Sequence, residues 1–219
     1  MKKLLLFFFF VLLALHADEN SLLIQAVNTL DRFMALPEER IPPRFLRKAG
    51  AIAIIPNMVR GGLIVGARYG KGILLVRRNG HWSDPIFIKM YGGSLGWQIG
   101  LESIDVVLIF KDPKSALELL NHAITLGADL SIAVGPVGRI AGAATDIEFK
   151  AKIYSYSRSM GAYAGIAFAG ARLEVDYEAN QHFYHCDPSK LYLILQGECR
   201  KNSPYLKILK RKLQEYSQW

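Results

Sequence analysis

Three short stretches of the 219-residue sequence gather side chains of the kinds that chemistry uses. His81, Ser83 and Asp84 place the residue types of a hydrolytic triad within four positions. A triad, however, assembles from separate parts of a fold around an oxyanion hole, and adjacency in sequence describes a turn better than a catalytic centre. Gly92-Gly-Ser-x-Gly96 has the composition of a phosphate-cradling loop. Such a loop must open a helix, whereas Trp97-Gln-Ile-Gly100 continues as strand, so tight turns and close strand approach account for the glycines. His182-Phe-Tyr-His185-Cys186-Asp187 carries metal-ligating types at a spacing that fits no recurrent zinc pattern. Cys186 and Cys199 are the two cysteines, and either a disulfide or a pair of buried thiols accommodates them. The expectation is a protein without catalysis, metal or cofactor.

Ionic side chains are better organised. The formal charge is +8, and no acidic residue lies between Arg40 and Ser83. Residues 40–101 hold ten bases against Asp84 alone, and residues 200–219 hold six against Glu215 alone, while residues 18–39 and 102–199 each carry a net charge of −4. Two basic zones separated by mildly acidic sequence suit a protein that turns one face to a polyanion or an anionic lipid surface. The plain alternative is a set of solvated arginines on unrelated faces. The candidate contacts are Arg68, Lys71, Arg77, Arg78 and Lys89 in the first zone and Lys207, Lys210, Arg211 and Lys212 in the second. Trp82, Trp97 and Tyr91 would offer stacking groups for nucleic acid, but export argues against that partner.

Export is read from residues 1–17. Lys2 and Lys3 precede an apolar run, Leu4 to Leu15, and Leu-His-Ala at 15–17 resembles a cleavage site, the pattern of a secretory signal peptide. The apolar run falls short of the roughly 20 residues needed to span a bilayer.

The elements that must position the basic residues follow from periodicity. Leu22, Leu23, Ala26, Val27, Leu30, Phe33 and Met34 recur at helical spacing over Asn20–Leu36, and Phe45–Gly50 reads as a short second helix. A meander of glycine-punctuated strands is expected over Ala51–Ile55, Leu63–Arg68, Gly72–Arg78, Ile86–Met90, Trp97–Leu101 and Ile104–Phe110. Asp112-Pro113 opens a helix expected to run to Leu126 and stop at Gly127. Strands resume at Leu130–Val134, Ile147–Ser157 and Ala162–Val175, and Asp187–Gln196 is a short helix or strand. Over Ser203–Trp219, Leu206, Leu209, Leu213 and Tyr216 form one stripe of a basic amphipathic helix.

Ordered motifs along this chain resemble the SYLF domain. They are Ile52-Ala-Ile-Ile-Pro56, Gly61-Gly-Leu-Ile-Val-Gly66, Tyr69-Gly-Lys-Gly72, Trp82-Ser-x-Pro85, Gly92-Gly-Ser-x-Gly96 and Gln98-Ile-Gly100. Asp105-Val-Val-Leu-Ile-Phe110, Leu126-Gly-Ala-Asp129, Gly135-Pro-Val-Gly-Arg139, Tyr154-Ser-Tyr-Ser157 and Gly161-Ala-Tyr-Ala-Gly165 extend the resemblance across about residues 29–195. That family occurs in eukaryotic membrane-trafficking and actin-patch proteins and in exported bacterial ones. The resemblance implies lipid binding, with phosphoinositide and actin binding in some eukaryotic members. Eukaryotic members place a basic amphipathic segment before the domain, whereas Ser21–Leu36 here is acidic, which moves attention to the C-terminal helix.

The resulting expectation is an α+β fold, a curved, mainly antiparallel, barrel-like sheet flanked by helices. A SYLF-like domain would cover residues 18–199, with the basic helix at 200–219. It would bind an anionic phospholipid or membrane surface without catalysis, in the periplasm of a Gram-negative bacterium. A protein-interaction scaffold with an envelope protein partner is the alternative.

Overall fold

The computed structural model describes residues 19–62, 65–95, 100–137, 150–159, 162–166, 168–187, 189–199 and 201–218. The expected signal peptide and the start of the Ile147–Ser157 strand lie outside the described residues, as do Leu63, Ile64 and residues 96–99.

Helix α1 (Glu19–Ala35) buries the stripe its spacing requires, from Leu22 to Met34, and ends two residues before Pro37. Helix α2 (Pro43–Lys48) starts on a proline, whose missing N–H costs nothing in a first turn. A ten-stranded sheet follows: β1 (Ala51–Gly62), β2 (Val65–Arg78), β3 (His81–Trp82), β4 (Ile86–Leu95), β5 (Gly100–Phe110), β6 (Ile124–Thr125), β7 (Ile132–Val134), β8 (Ile153–Ser159), β9 (Ala162–Tyr163) and β10 (Arg172–Val175). The order across it is β6-β10-β4-β2-β1-β5-β8-β7, with β3 beside β2 and β9 beside β8. Every pairing between these named strands is antiparallel except β7 with β8. The sheet curls strongly into a half-barrel, and the fold class is α+β as expected. Helices α3 (Pro113–Leu117), α4 (Tyr177–Tyr184), α5 (Leu191–Gln196) and α6 (Pro204–Gln218) complete the described elements.

Strand β1 is central, and Ala51 to Ile55 are fully buried on both of its faces. That is why this run is continuously apolar rather than alternating. A register shift after Ile55 leaves Asn57 at φ 48°, and its amide donates to Asp105 Oδ1 at 3.0 Å. Asp105 also takes an ion pair from Arg32 of α1 at 2.7 Å, so the bulge is tied to the helix that covers it.

Three expectations change. The strands expected at Leu63–Arg68 and Gly72–Arg78 are one strand, and those around Trp97–Leu101 and Ile104–Phe110 likewise form one strand from Gly100. The helix opened by Asp112 ends at Leu117, followed by a single 3-10 turn over Glu118–Leu120, instead of reaching Leu126. Asn121 and His122 are poor helix formers, and Ile124 and Leu126 are buried beside the segment around β10, β6 pairing with β10 and Leu126 N donating to Ala171 O. Among the described residues, the strand expected over Ala162–Val175 forms only at its two ends, β9 and β10.

Candidate functional site

The expected basic residues separate into those the fold consumes and those it presents. Lys71 and Lys89 are register partners on β2 and β4, and both face Asp176. Lys89 Nζ lies 3.1 Å from Asp176 Oδ1 and Lys71 Nζ 3.9 Å from Oδ2. Asp176 is almost fully buried and also caps α4 by accepting from Ala179 N. Burial opposes the Lys89 ammonium, but its hydrogen bond and charge interaction with Asp176 outweigh that and raise its pKa.

Arg68, on β2, donates from Nη2 to Ala169 O at 3.2 Å, and its guanidinium lies 5.6 Å from the Phe168 ring centroid. Burial, then the nearby Arg60 charge, lower its pKa. Arg77 is a clamp. It donates to the carbonyls of Leu46 and Arg47 at the end of α2 and to Ser217 Oγ on α6, and it stacks on Trp82. Burial lowers its pKa as well. Arg78, next along, is exposed beside the Asn79-Gly80 turn, where φ values of 49° and 82° fit a tight hairpin.

Helix α6 buries Leu206, Leu209, Leu213 and Tyr216, the stripe expected for it, against α1, α2 and β3. Lys210 pairs with Asp84 and Lys212 Nζ lies 2.8 Å from Asp31 Oδ2, whose other oxygen accepts from Tyr216 at 2.7 Å. Lys207 and Arg211, one turn apart, stay exposed. Arg78, Lys207 and Arg211 are therefore the expected contacts left exposed, joined by Arg47 at the end of α2. The clamp by Arg77 holds α2, the β2–β3 turn and the last turn of α6 together.

The other chemical candidates resolve into structure. Ser83 Oγ accepts from Val76 N and donates to Asp84 O, and the Asp84 carboxylate holds Lys210, so these side chains brace a turn. Gly92 to Leu95 lie within β4. Cys186 and Cys199 form a disulfide.

Residues 91–216 match the Ysc84 family, described as "Las17-binding protein actin regulator". The chain belongs to this family, the SYLF domain proteins. It is 36% identical over 164 residues to SH3 domain-containing YSC84-like protein 1 of Xenopus laevis, covering 74% of this chain and 49% of that protein. The human protein of the same name is 34% identical over 164 residues, covering 74% and 47%. LAS seventeen-binding protein 3 of Saccharomyces cerevisiae is 34% identical over 167 residues, covering 74% and 36%. The chain thus spans about half or less of the length of these relatives.

In this Ysc84-family chain the residue that sequence reasoning passed over is Arg60. It is the register partner of Arg68 across β1 and β2. The symmetric spacing of Arg60-Gly-Gly and Gly66-Ala-Arg68 about a hairpin was the available signal. On the opposite face of the same strands, Val59, Tyr69 and Leu101 are exposed, Leu101 at 85%. That face also was not legible as apolar surface.

Proposed function

We propose that this domain binds an anionic phospholipid surface, without catalysis, through Arg78, Lys207 and Arg211, with Arg47 beside them. One observation carries the reading: these cations remain exposed while Lys71, Lys89, Lys210 and Lys212 are paired with carboxylates of the same chain. These cations sit on elements that the Arg77 clamp ties together, and in this reading they meet the membrane as one surface. Each basic residue near anionic headgroups contributes about 1 kcal/mol. In this reading Arg77 supports the surface, and the chain acts after export, at the periplasmic side of a membrane.

Co-sedimentation tests it. The protein is expected to pellet with vesicles of anionic lipid and not with phosphatidylcholine vesicles, and to be released as salt rises from about 50 to 500 mM, where screening shortens to a few ångströms. Equal pelleting with both vesicles, or indifference to salt, would sink the proposal.

A second reading has its own support. The family description and the yeast relative's name both record binding to another protein. As a protein-interaction module in the envelope, the chain would yield one crosslinked partner, and charge reversal at Lys207 and Arg211 would leave that crosslink intact.

A further inference from the structure

We infer that Arg60 and Arg68 form a phosphate-binding site at the glycine-rich end of the half-barrel, distinct from the surface cations of α6. The inference rests on the membrane reading only for where the phosphate comes from. In antiparallel strands directly paired residues project from the same face, so Gly92, Arg68, Arg60 and Glu102 form one row across β4, β2, β1 and β5. Two arginines side by side across a ladder repel one another, and the Arg60 charge indeed bears on Arg68. Glu102 makes no ion pair with either arginine: one of its oxygens accepts from Ser159 Oγ and the other is buried without a hydrogen-bond partner. Among the described residues, no carboxylate lies within ion-pair distance of Arg60 or Arg68.

The next row on this face is built of glycine. Gly62 pairs with both Gly66 and Gly100, so beyond the two guanidinium groups three strands carry no side chain. Glycine at such positions admits the close approach of a ligand. Arg68 is held in place, since Phe168 lies against its guanidinium and Ala169 O takes one of its N–H groups. A phosphate oxygen pair matches the planar fork of an arginine, and a second arginine alongside supplies the charge that a phosphate monoester or diester carries. The reverse face of the same strands, with Val59, Tyr69 and Leu101 exposed, bears no charge in those two rows. The phosphate of a lipid headgroup and that of free phosphate or a soluble ester both satisfy the two arginines.

Titration calorimetry with inorganic phosphate and co-sedimentation with phosphatidylglycerol vesicles distinguish the two sources. Arg60 is the informative position because it is partly exposed and Arg68 carries the packing contacts. Arg60→Gln is expected to weaken phosphate-dependent binding at least tenfold, Arg60→Lys to lose less, and both to keep the thermal midpoint of the parent. Binding in the vesicle arm alone assigns the site to a lipid headgroup, and binding in both arms to phosphate in general. Lys207→Glu with Arg211→Glu is expected to lower vesicle binding while leaving inorganic phosphate affinity unchanged. The site is wrong if neither arm detects binding, or if Arg60→Gln binds as tightly as the parent. Loss of vesicle binding on reversal of Lys207 and Arg211, with Arg60→Gln neutral in both arms, would overturn the site and spare the surface reading.

Discussion

The guanidinium of Arg77 lies over the indole of Trp82, 4.4 Å from the ring centroid, and these two residues are also register partners across β2 and β3. The stack leaves the guanidinium edge free to donate to Leu46 O at 3.0 Å and to Ser217 Oγ at 3.3 Å. A side chain that looks like surface charge in the sequence thus fastens three elements. Arg77→Ala is expected to cost about 2–3 kcal/mol, because charged hydrogen bonds are lost and helix-end carbonyls are left unpaired. Arg77→Lys should recover less than half of that, since an ammonium cannot stack and fork at once. Urea denaturation of the two variants gives the comparison, and parental stability for Arg77→Ala would refute the clamp.

Asp112 caps α3 through the Ser115 amide at 2.8 Å. Burial works against its charge, but the Ser115 hydrogen bonds and Lys152 prevail, and its pKa lies below the usual carboxylate value. A lowered folded-state pKa means that this carboxylate stabilises the fold above the unfolded value, near 4, and that the contribution fades as pH falls through the folded value. Asp112→Ala is expected to cost about 1 kcal/mol at neutral pH. The difference from the parent should shrink as the pH is taken below 4, which thermal melts across pH 3 to 7 would follow.

The Cys186–Cys199 disulfide closes a loop with a sequence separation of 13. A loop of that length is stabilised by about 3 kcal/mol on the chain-entropy model. Reduction, or Cys186→Ser with Cys199→Ser, should lower the thermal midpoint by roughly 6–12 °C for a chain of this size. An unchanged midpoint would show that the packing of Phe183, Tyr184 and Leu195 holds this corner unaided.

Lys207 and Arg211 sit on the solvent side of α6, so their reversal to glutamate should change stability by less than about 0.5 kcal/mol. Their loss removes about 2 kcal/mol of headgroup attraction, enough to weaken binding to anionic vesicles more than tenfold. A lowered thermal midpoint would instead trace the loss to misfolding.

Much of the fold was readable because its periods are strong. The stripes of α1 and α6, the strand runs and the Asp112 cap follow from local spacing, and the buried residues are those the pattern marks. What spacing cannot supply is the partner of each side chain. Lys71 and Lys89 look like surface bases until Asp176, more than 80 residues away from either, turns out to face both. The helix after Asp112 stops early because Ile124 and Leu126 are claimed by a strand near residue 172. Arg60 was hidden for the opposite reason, since its partner is only eight residues away but is reached through a hairpin register that composition alone leaves open.

The hydrogen bond between Tyr216 and Asp31 spans 185 residues. In kinetic terms this places α6 at the expensive end of loop closure: the β1–β2 hairpin can form while the chain is still short, whereas the docking of α6 on α1 needs both ends present. The expectation is that this contact forms after the folding transition state, so that weakening it quickens unfolding and leaves the folding rate nearly untouched. The helix that carries the exposed cations would then also be the latch that sets how long the folded protein lasts.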